Sequence, residues 1–598
     1  MPVRPYALFC LIAPLLLWAA LTAPAGAEVG DAASTPEEAR SWLGSYLAGR
    51  QARRMHDAQA AAAFYAKVLQ KDPDNAAVLD AAFQMEASQG RWSRAEALAR
   101  DLIALQPTNR LAHTFLGLVA FKAGRFAEAE EHFKGSAVHP IGELTNALAR
   151  AWITQAQEKS DEALSALDSP KLPDWTSSFV RYHRALLADV AGRAADARAT
   201  YGQIPKNDQT ILRVALAFAA SAANAGDTKL AQGILLANLE KSRAGGHPQV
   251  RALLAEIEAG KRPHLLVGTA TEGMSELFFG LGELLASDTG SVGVGVIFLQ
   301  FSLYLNPNST FALVALAGTH ESSKQYAEAI ATYDRIPKGT PLEVAVEINK
   351  ALNLTQLKKV DEAQTLLEAL SRQHPRDVRP LESLGTIMRA NNRFAEAVDY
   401  YTRAIALIGR PEARHWGYFY ARGASYERLK KLPQAEADLQ RSLQLSPDQP
   451  DALNYLGYTW VDNNRYLKKG LQLIEKAVRL RPDNGYIVDS LGWAHFRLGN
   501  FQLAVKHLEQ AVTLRPDDPT LNDHLGDAYW RVGREREARF QWTHALALKP
   551  EPADADKMRE KLEKGLPAPR IRHVRRHKDA RRPERVKPGS DDATSAEK

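Results

Sequence analysis

The residues best suited to hold another molecule lie in the last third of the chain. Asn454 and Tyr458, Asp489, Trp493 and Arg497, and Asp523, Asp527 and Arg531 stand around Gly457, Gly492 and Gly526 in three successive segments, with Tyr420 in the segment before. Aromatic and Arg anchors beside amides and carboxylates make up the kind of surface that binds a peptide. Catalytic patterns are missing. The sequence has no His-Glu-x-x-His, no phosphate-binding Gly-x4-Gly-Lys-Ser/Thr and no Gly-x-Ser-x-Gly, so no catalytic residue, metal site or cofactor is expected. Gly290, Gly293 and Gly295 follow a predicted helix rather than a strand, which makes them a turn and a tight helix crossing rather than a nucleotide loop. His573 and His577 share a spacing that suits metal ligands, but Arg572, Arg575 and Arg576 surround them and repel a cation. His495, His507, His524 and His544 fall singly on separate predicted helices, in structural or solvated roles.

Positioning the first set of residues requires a repeating element. Leu491, Gly492, Ala504, Ala511 and Pro516 recur as Leu525, Gly526, Ala538, Ala545 and Pro550, an offset of 34 residues. Two antiparallel helices of about a dozen residues approach closely only where neither carries a bulky side chain. Gly492 and Ala504 are placed at that contact, with Leu491, Leu508 and Leu514 as the apolar stripe and Pro516 as the stop. Asp518 and Pro519 suit the cap and first turn of the next helix. Ala61, Ala95, Ala129, Ala163, Ala197 and Ala231 keep the same step, which gives six hairpins over 42–240 within an N-terminal array at 28–240. The phase breaks at 241–272, where Gly245, Gly246, Pro248, Gly260 and Pro263 punctuate the pattern; this is either a hinge or a degenerate repeat packed in line. Ala329, Ala363 and Ala397 restore the period, and after an insertion of about four residues at 410–415 it resumes at Ala435, in a C-terminal array of eight hairpins over 273–550. A capping helix follows at 551–566, with Met558 and Leu562 on one face.

Composition agrees with a folded chain. Of 598 residues, 45% are hydrophobic and 24% charged, and stacked repeats let a chain of that length add core one unit at a time. The net charge of +6 resides in the end of the chain: residues 564–598 carry eleven Lys and Arg against five Asp and Glu, leaving 65 against 65 elsewhere. The tail at 567–598, with Arg572, Arg575, Arg576, Arg581 and Arg582, has the composition of a disordered basic segment. It is a candidate contact for anionic lipid or polysaccharide. No nucleic acid is expected, because the tail lacks stacking aromatics. At the other end, Arg4, the apolar run from Tyr6 to Leu21 and Ala25-Gly26-Ala27 form a signal peptide at 1–27, with an uncleaved anchor as the alternative. The expected location is the periplasm or cell envelope. Cys10 is the one cysteine and lies within the leader.

The segments Asn454-Tyr455-Leu456-Gly457-Tyr458, Asp489-Ser490-Leu491-Gly492-Trp493 and Asp523-His524-Leu525-Gly526-Asp527, at this period, resemble the tetratricopeptide repeat (TPR) superfamily and are similar to exported TPR proteins of Gram-negative bacteria. The resemblance implies an all-α fold, an α–α solenoid forming a right-handed TPR superhelix of about fourteen hairpins in two arrays. In such a stack the first helix of each hairpin lines the concave side. The residues named at the outset then line a groove, and the chain is a non-enzymatic scaffold or adaptor for other proteins or peptide segments. The Lys and Asn of the carboxylate-clamp TPR modules are absent in phase, since Tyr420 and Ala424 stand at the corresponding sites. The second functional reading is an accessory module of a polysaccharide or cell-wall synthesis or export machine, contacting glycan or anionic lipid through Trp493 and the tail.

Overall fold

The computed structural model describes residues 42–567, except 169–171, 242–245 and 289. The leader and the tail arginines Arg572, Arg575, Arg576, Arg581 and Arg582 lie outside the described residues. Every regular element among those described is a helix. They group into two compact units that divide between Leu407 and Ile408, so the break expected at 241–272 lies inside the first unit. Among the described residues ten hairpins belong to the first unit and four to the second, and each unit is built of paired helices, the all-α class expected.

Local chemistry sets the helix ends. Asn75, Asn109, Asn484 and Asp518 each accept a hydrogen bond from an amide in the following first turn, which satisfies donors that the helix itself leaves open. Pro519 occupies the first turn after Asp518. Between the helices of a hairpin the backbone turns through the left-handed region, for which Gly499 and Gly533 are suited.

The crossing inside each hairpin is as close as the spacing requires. Ala61, Ala95, Ala129, Ala163, Ala197 and Ala231, with Ala329, Ala363, Ala397, Ala435, Ala504 and Ala538, have no exposed surface. A Cβ on Gly492 would lie 2.6 Å from Leu508 Cγ, and one on Gly526 2.5 Å from Trp542 Nε1. Leu491 and Leu508 are buried on the expected stripe, whereas Leu514, the last residue of its helix Phe501–Leu514, is 37% exposed.

The first unit contains an arrangement that the period does not reveal. After the six hairpins, the helix Pro248–Glu258 packs beside Leu212–Asn224 and Thr228–Lys241, and the chain then turns back. The next hairpin, Ala270–Ala286 and Val292–Leu305, lies along the leading helices of the array. Val292–Leu305 packs on Ala76–Ser88 and Arg110–Lys122, while Ala270–Ala286 packs on Pro140–Ala156 and Ser177–Val190. Val292–Leu305 carries no charged residue and is apolar on nearly every side, as suits a helix buried along most of its length. Phe301 stacks on Phe115 at 5.4 Å, and Phe278 lies 6.5 Å from Phe133. Gly273 and Gly280 admit Trp152 and Phe179, whose atoms would stand 2.3 and 2.7 Å from an added Cβ.

One buried charge pins the returning hairpin. Glu276 accepts hydrogen bonds from the Tyr182 hydroxyl at 2.8 Å and from Arg213 Nε at 3.0 Å, with a second contact from the same guanidinium. Arg213 also lies over the Phe311 ring, 4.0 Å from its centre. Burial opposes the charge on Arg213, but Glu276 outweighs it and raises the pKa of the guanidinium. At the other end Lys122 Nζ donates to the Tyr304 carbonyl at 2.6 Å, and Gln300 donates to the Ser88 carbonyl at 3.0 Å.

Two substitutions test this packing. Ala504→Leu overfills a crossing and is expected to destabilise the chain by about 1–3 kcal/mol in denaturant unfolding, whereas Lys506→Leu on the exposed side of the same helix changes little. Glu276→Ala strands Arg213 in an apolar interior, at an expected cost of roughly 3–5 kcal/mol, read in the same assay; a neutral result would show that the hairpin is not pinned there.

Candidate functional site

The second unit stacks the leading helices Trp416–Arg428, Pro450–Asp462, Gly485–Arg497 and Pro519–Arg531 side by side, and the helix Pro552–Lys564 closes the row. Each residue named from the sequence lies on one of these four leading helices, and the structure sorts them into two groups. Tyr420, half-buried, meets Tyr455 edge-on at 5.8 Å and lies 5.9 Å from Trp416. The Tyr455 hydroxyl donates to Glu427 at 3.2 Å. Nearby, the Oδ1 of Asn454 is buried without a hydrogen-bond partner. Tyr458 is half-buried, and burial, followed by the charges of Asp462 and Asp489, raises its pKa well above the ordinary phenol value.

The second group forms a connected network. Asp489 is buried and accepts from His524 Nδ1 at 3.0 Å through both oxygens. Trp493 stacks on His524 at 4.1 Å and on Phe496 at 4.8 Å, and its indole nitrogen lies 3.4 Å from Asp462. Arg497 donates to the same Asp462 at 3.2 Å. Lys561, from the closing helix, donates to Asp523 at 2.8 Å and to Asp527 at 2.9 Å, and Asp527 also accepts from Trp542 Nε1 at 2.9 Å. Arg531 is half-buried, and burial lowers its pKa despite Asp527.

Charge in this network is balanced internally. Burial alone disfavours a charged imidazole at His524, yet Asp489, with Asp523 and Asp527, overrides it and raises the pKa to about 9. Burial likewise opposes the ammonium of Lys561, which Asp527 and Asp523 hold charged. Asp489, Asp523 and Asp527 therefore fix neighbouring helices to one another, a role that their positions alone did not reveal. Trp493, Phe496 and Arg497 keep partly exposed surface on one helix, with Asp462 at the rim. An aromatic ledge beside an ion pair can hold apolar side chains and the backbone of a peptide; it offers no nucleophile with a base. Among the described residues no group of His, Cys, Asp and Glu could hold a metal ion.

Lys561 is a contributor that sequence reasoning passed over, whereas His524, read there as structural or solvated, proves to be the structural partner of Asp489. Lys561 stands 34 residues after Asp527, and His524 the same distance after Ser490. The repeat step thus brings them against the preceding leading helix, and that step was the available signal.

Comparison with known proteins places these helices. A tetratricopeptide-repeat family model matches residues 81–138, 348–411 and 420–485, and a TPR-repeat model matches 492–533. The matched stretches are tetratricopeptide repeats. The chain is similar to the TPR repeat-containing protein PA4667 of Pseudomonas aeruginosa, with 29% identity over 188 residues, a stretch that covers 31% of each chain. Among solved structures it is similar to Cut9–Hcn1 of the APC/C hetero-tetramer, at 15% identity with 89% of this chain and 98% of that chain covered and a TM-score of 0.35. It is also similar to MamA from Desulfovibrio magneticus RS-1, at 18% identity with 29% and 94% covered and a TM-score of 0.26.

The TPR contact between Asp489 and His524 gives a pH dependence with a definite sign. The folded-state pKa of His524 is raised from 6.5 to about 9, so its contribution to stability is complete below pH 6.5 and is lost as pH rises through 9. Thermal unfolding of the second unit, followed by Trp fluorescence, is expected to weaken over that interval, and His524→Gln is expected to flatten the profile.

Proposed function

We propose that this TPR protein is a non-enzymatic scaffold of the bacterial cell envelope that docks segments of other proteins on the inner face of its last four hairpins. One contrast between its two inner faces carries the reading. In the second to sixth hairpins that face is covered by the chain's own hairpin of Ala270–Ala286 and Val292–Leu305, which packs against Trp92, Phe115, Trp152 and Arg213. In the second unit Trp493, Phe496 and Arg497 keep exposed surface on leading helices that their own side chains hold in register. A leading helix braced by His524 and Lys561 offers a preorganised surface, so little ordering cost opposes a partner. The leader-like residues 1–27 support an exported location. The basic tail supports an auxiliary contact with anionic envelope lipid or polysaccharide, weakened by salt.

Affinity capture from crosslinked envelopes, followed by mass spectrometry, tests this proposal. Proteins recovered at high salt with the native chain are expected to be lost with Trp493→Ala/Arg497→Ala and kept with Phe540→Ala, a residue 68% exposed on a trailing helix. Circular dichroism checks that each variant is folded. An identical set of proteins from all three chains would refute docking at the inner face.

A further inference from the structure

The first helix of the array, Trp42–Arg54, uses only one face for packing. Ser45, Gly49 and Ala52 are buried, and Gly49 lies against Tyr65 of the next helix. Among the described residues nothing covers the opposite face: Trp42, Leu43 and Leu47 are 55%, 51% and 54% exposed, with Tyr46 half-buried among them. At about 100° per residue these four side chains fall within an arc of about 140°, and Arg50, Arg53 and Arg54 fall within the same arc one to two turns later. The helix contains no acidic residue. Arg50 lies over the Tyr46 ring at 5.9 Å and Arg53 donates to Gln84 at 3.0 Å; none of the three arginines forms an ion pair among the described residues. Met55, 70% exposed, extends the apolar surface past the helix end.

We infer that this face docks on an anionic lipid surface. Trp and Tyr favour the boundary between hydrocarbon and water, Leu side chains enter it, and Arg binds the headgroups beside it. Two other occupants fit this face less well. A second copy joined by a two-fold axis would bring the same arginines together without counter-charge. Residues 28–41 contain a single large apolar side chain, Val29, which is too little to cover Trp42, Leu43 and Leu47. Among the described residues no helix is long and apolar enough to cross a membrane. The contact is independent of the docking surface in the second unit.

The test uses the full chain with Cys10→Ser and Leu47→Cys, carrying a polarity-sensitive dye on residue 47, mixed with vesicles of phosphatidylglycerol and phosphatidylcholine or of phosphatidylcholine alone. The dye emission is expected to brighten and shift to the blue with the anionic vesicles only. Trp42→Ser/Leu43→Ser is expected to weaken partitioning by at least about tenfold, and Arg50→Gln/Arg53→Gln/Arg54→Gln to remove its salt dependence. All five side chains are exposed, and circular dichroism verifies that the variants are folded. Sedimentation with vesicles while the dye stays in a watery environment would assign binding to the tail and overturn the inference. So would an unchanged dye with every vesicle, or a dye shift that depends on protein concentration without lipid.

Discussion

Backbone has to meet backbone at the centre of every hairpin in this chain, and small side chains are what allow it. Alanine on the trailing helix, often facing glycine on the leading one, removes the side chain that would hold the pair apart. Once the two helices touch, larger residues one turn away interlock around the contact. A single hairpin still leaves apolar surface uncovered, so each must lie on the next. The period, the burial pattern and the side-by-side row of leading helices all follow from that one steric requirement.

The two units use their leading helices differently. In the first, the array closes over the hairpin at 270–305, and a surface rich in Trp, Phe and Tyr becomes interior. Burying Glu276 with Arg213 and Tyr182 there fixes where the hairpin sits, because a carboxylate displaced from those donors would stand unpaired in an apolar environment. In the second unit carboxylates on the leading helices hold adjacent helices together. What is left over, at Trp493, Phe496 and Arg497, is a modest ledge on a rigid support.

Much of the fold was legible because the repeat period is a property of the chain itself. Gly492 and Ala504 could be placed at a crossing from their spacing alone, and Asp518 and Pro519 at a helix start from their chemistry. The returning hairpin was not legible in the same way, since a period says which residues are equivalent and not which equivalent faces are covered. Its traces were nevertheless present in the uncharged run Val292–Leu305 and in Gly273 and Gly280, which leave room for Trp152 and Phe179. At the candidate site, register put the right helices on the right face. It could not show that Asp489, Asp523 and Asp527 have partners, because His524 and Lys561 come from neighbouring repeats and pair only when the helices stack.

The claim on which the account rests is that the hairpin at 270–305 is an integral part of the first unit and closes its inner face. Hydrogen exchange of the whole chain, resolved by peptide, tests it most directly. The account predicts that Ala270–Ala286 and Val292–Leu305 exchange as slowly as Arg110–Lys122 and Pro140–Ala156, and that all four open together as denaturant is added. Rapid, independent exchange in the hairpin, with the array beneath it still protected, would contradict the account.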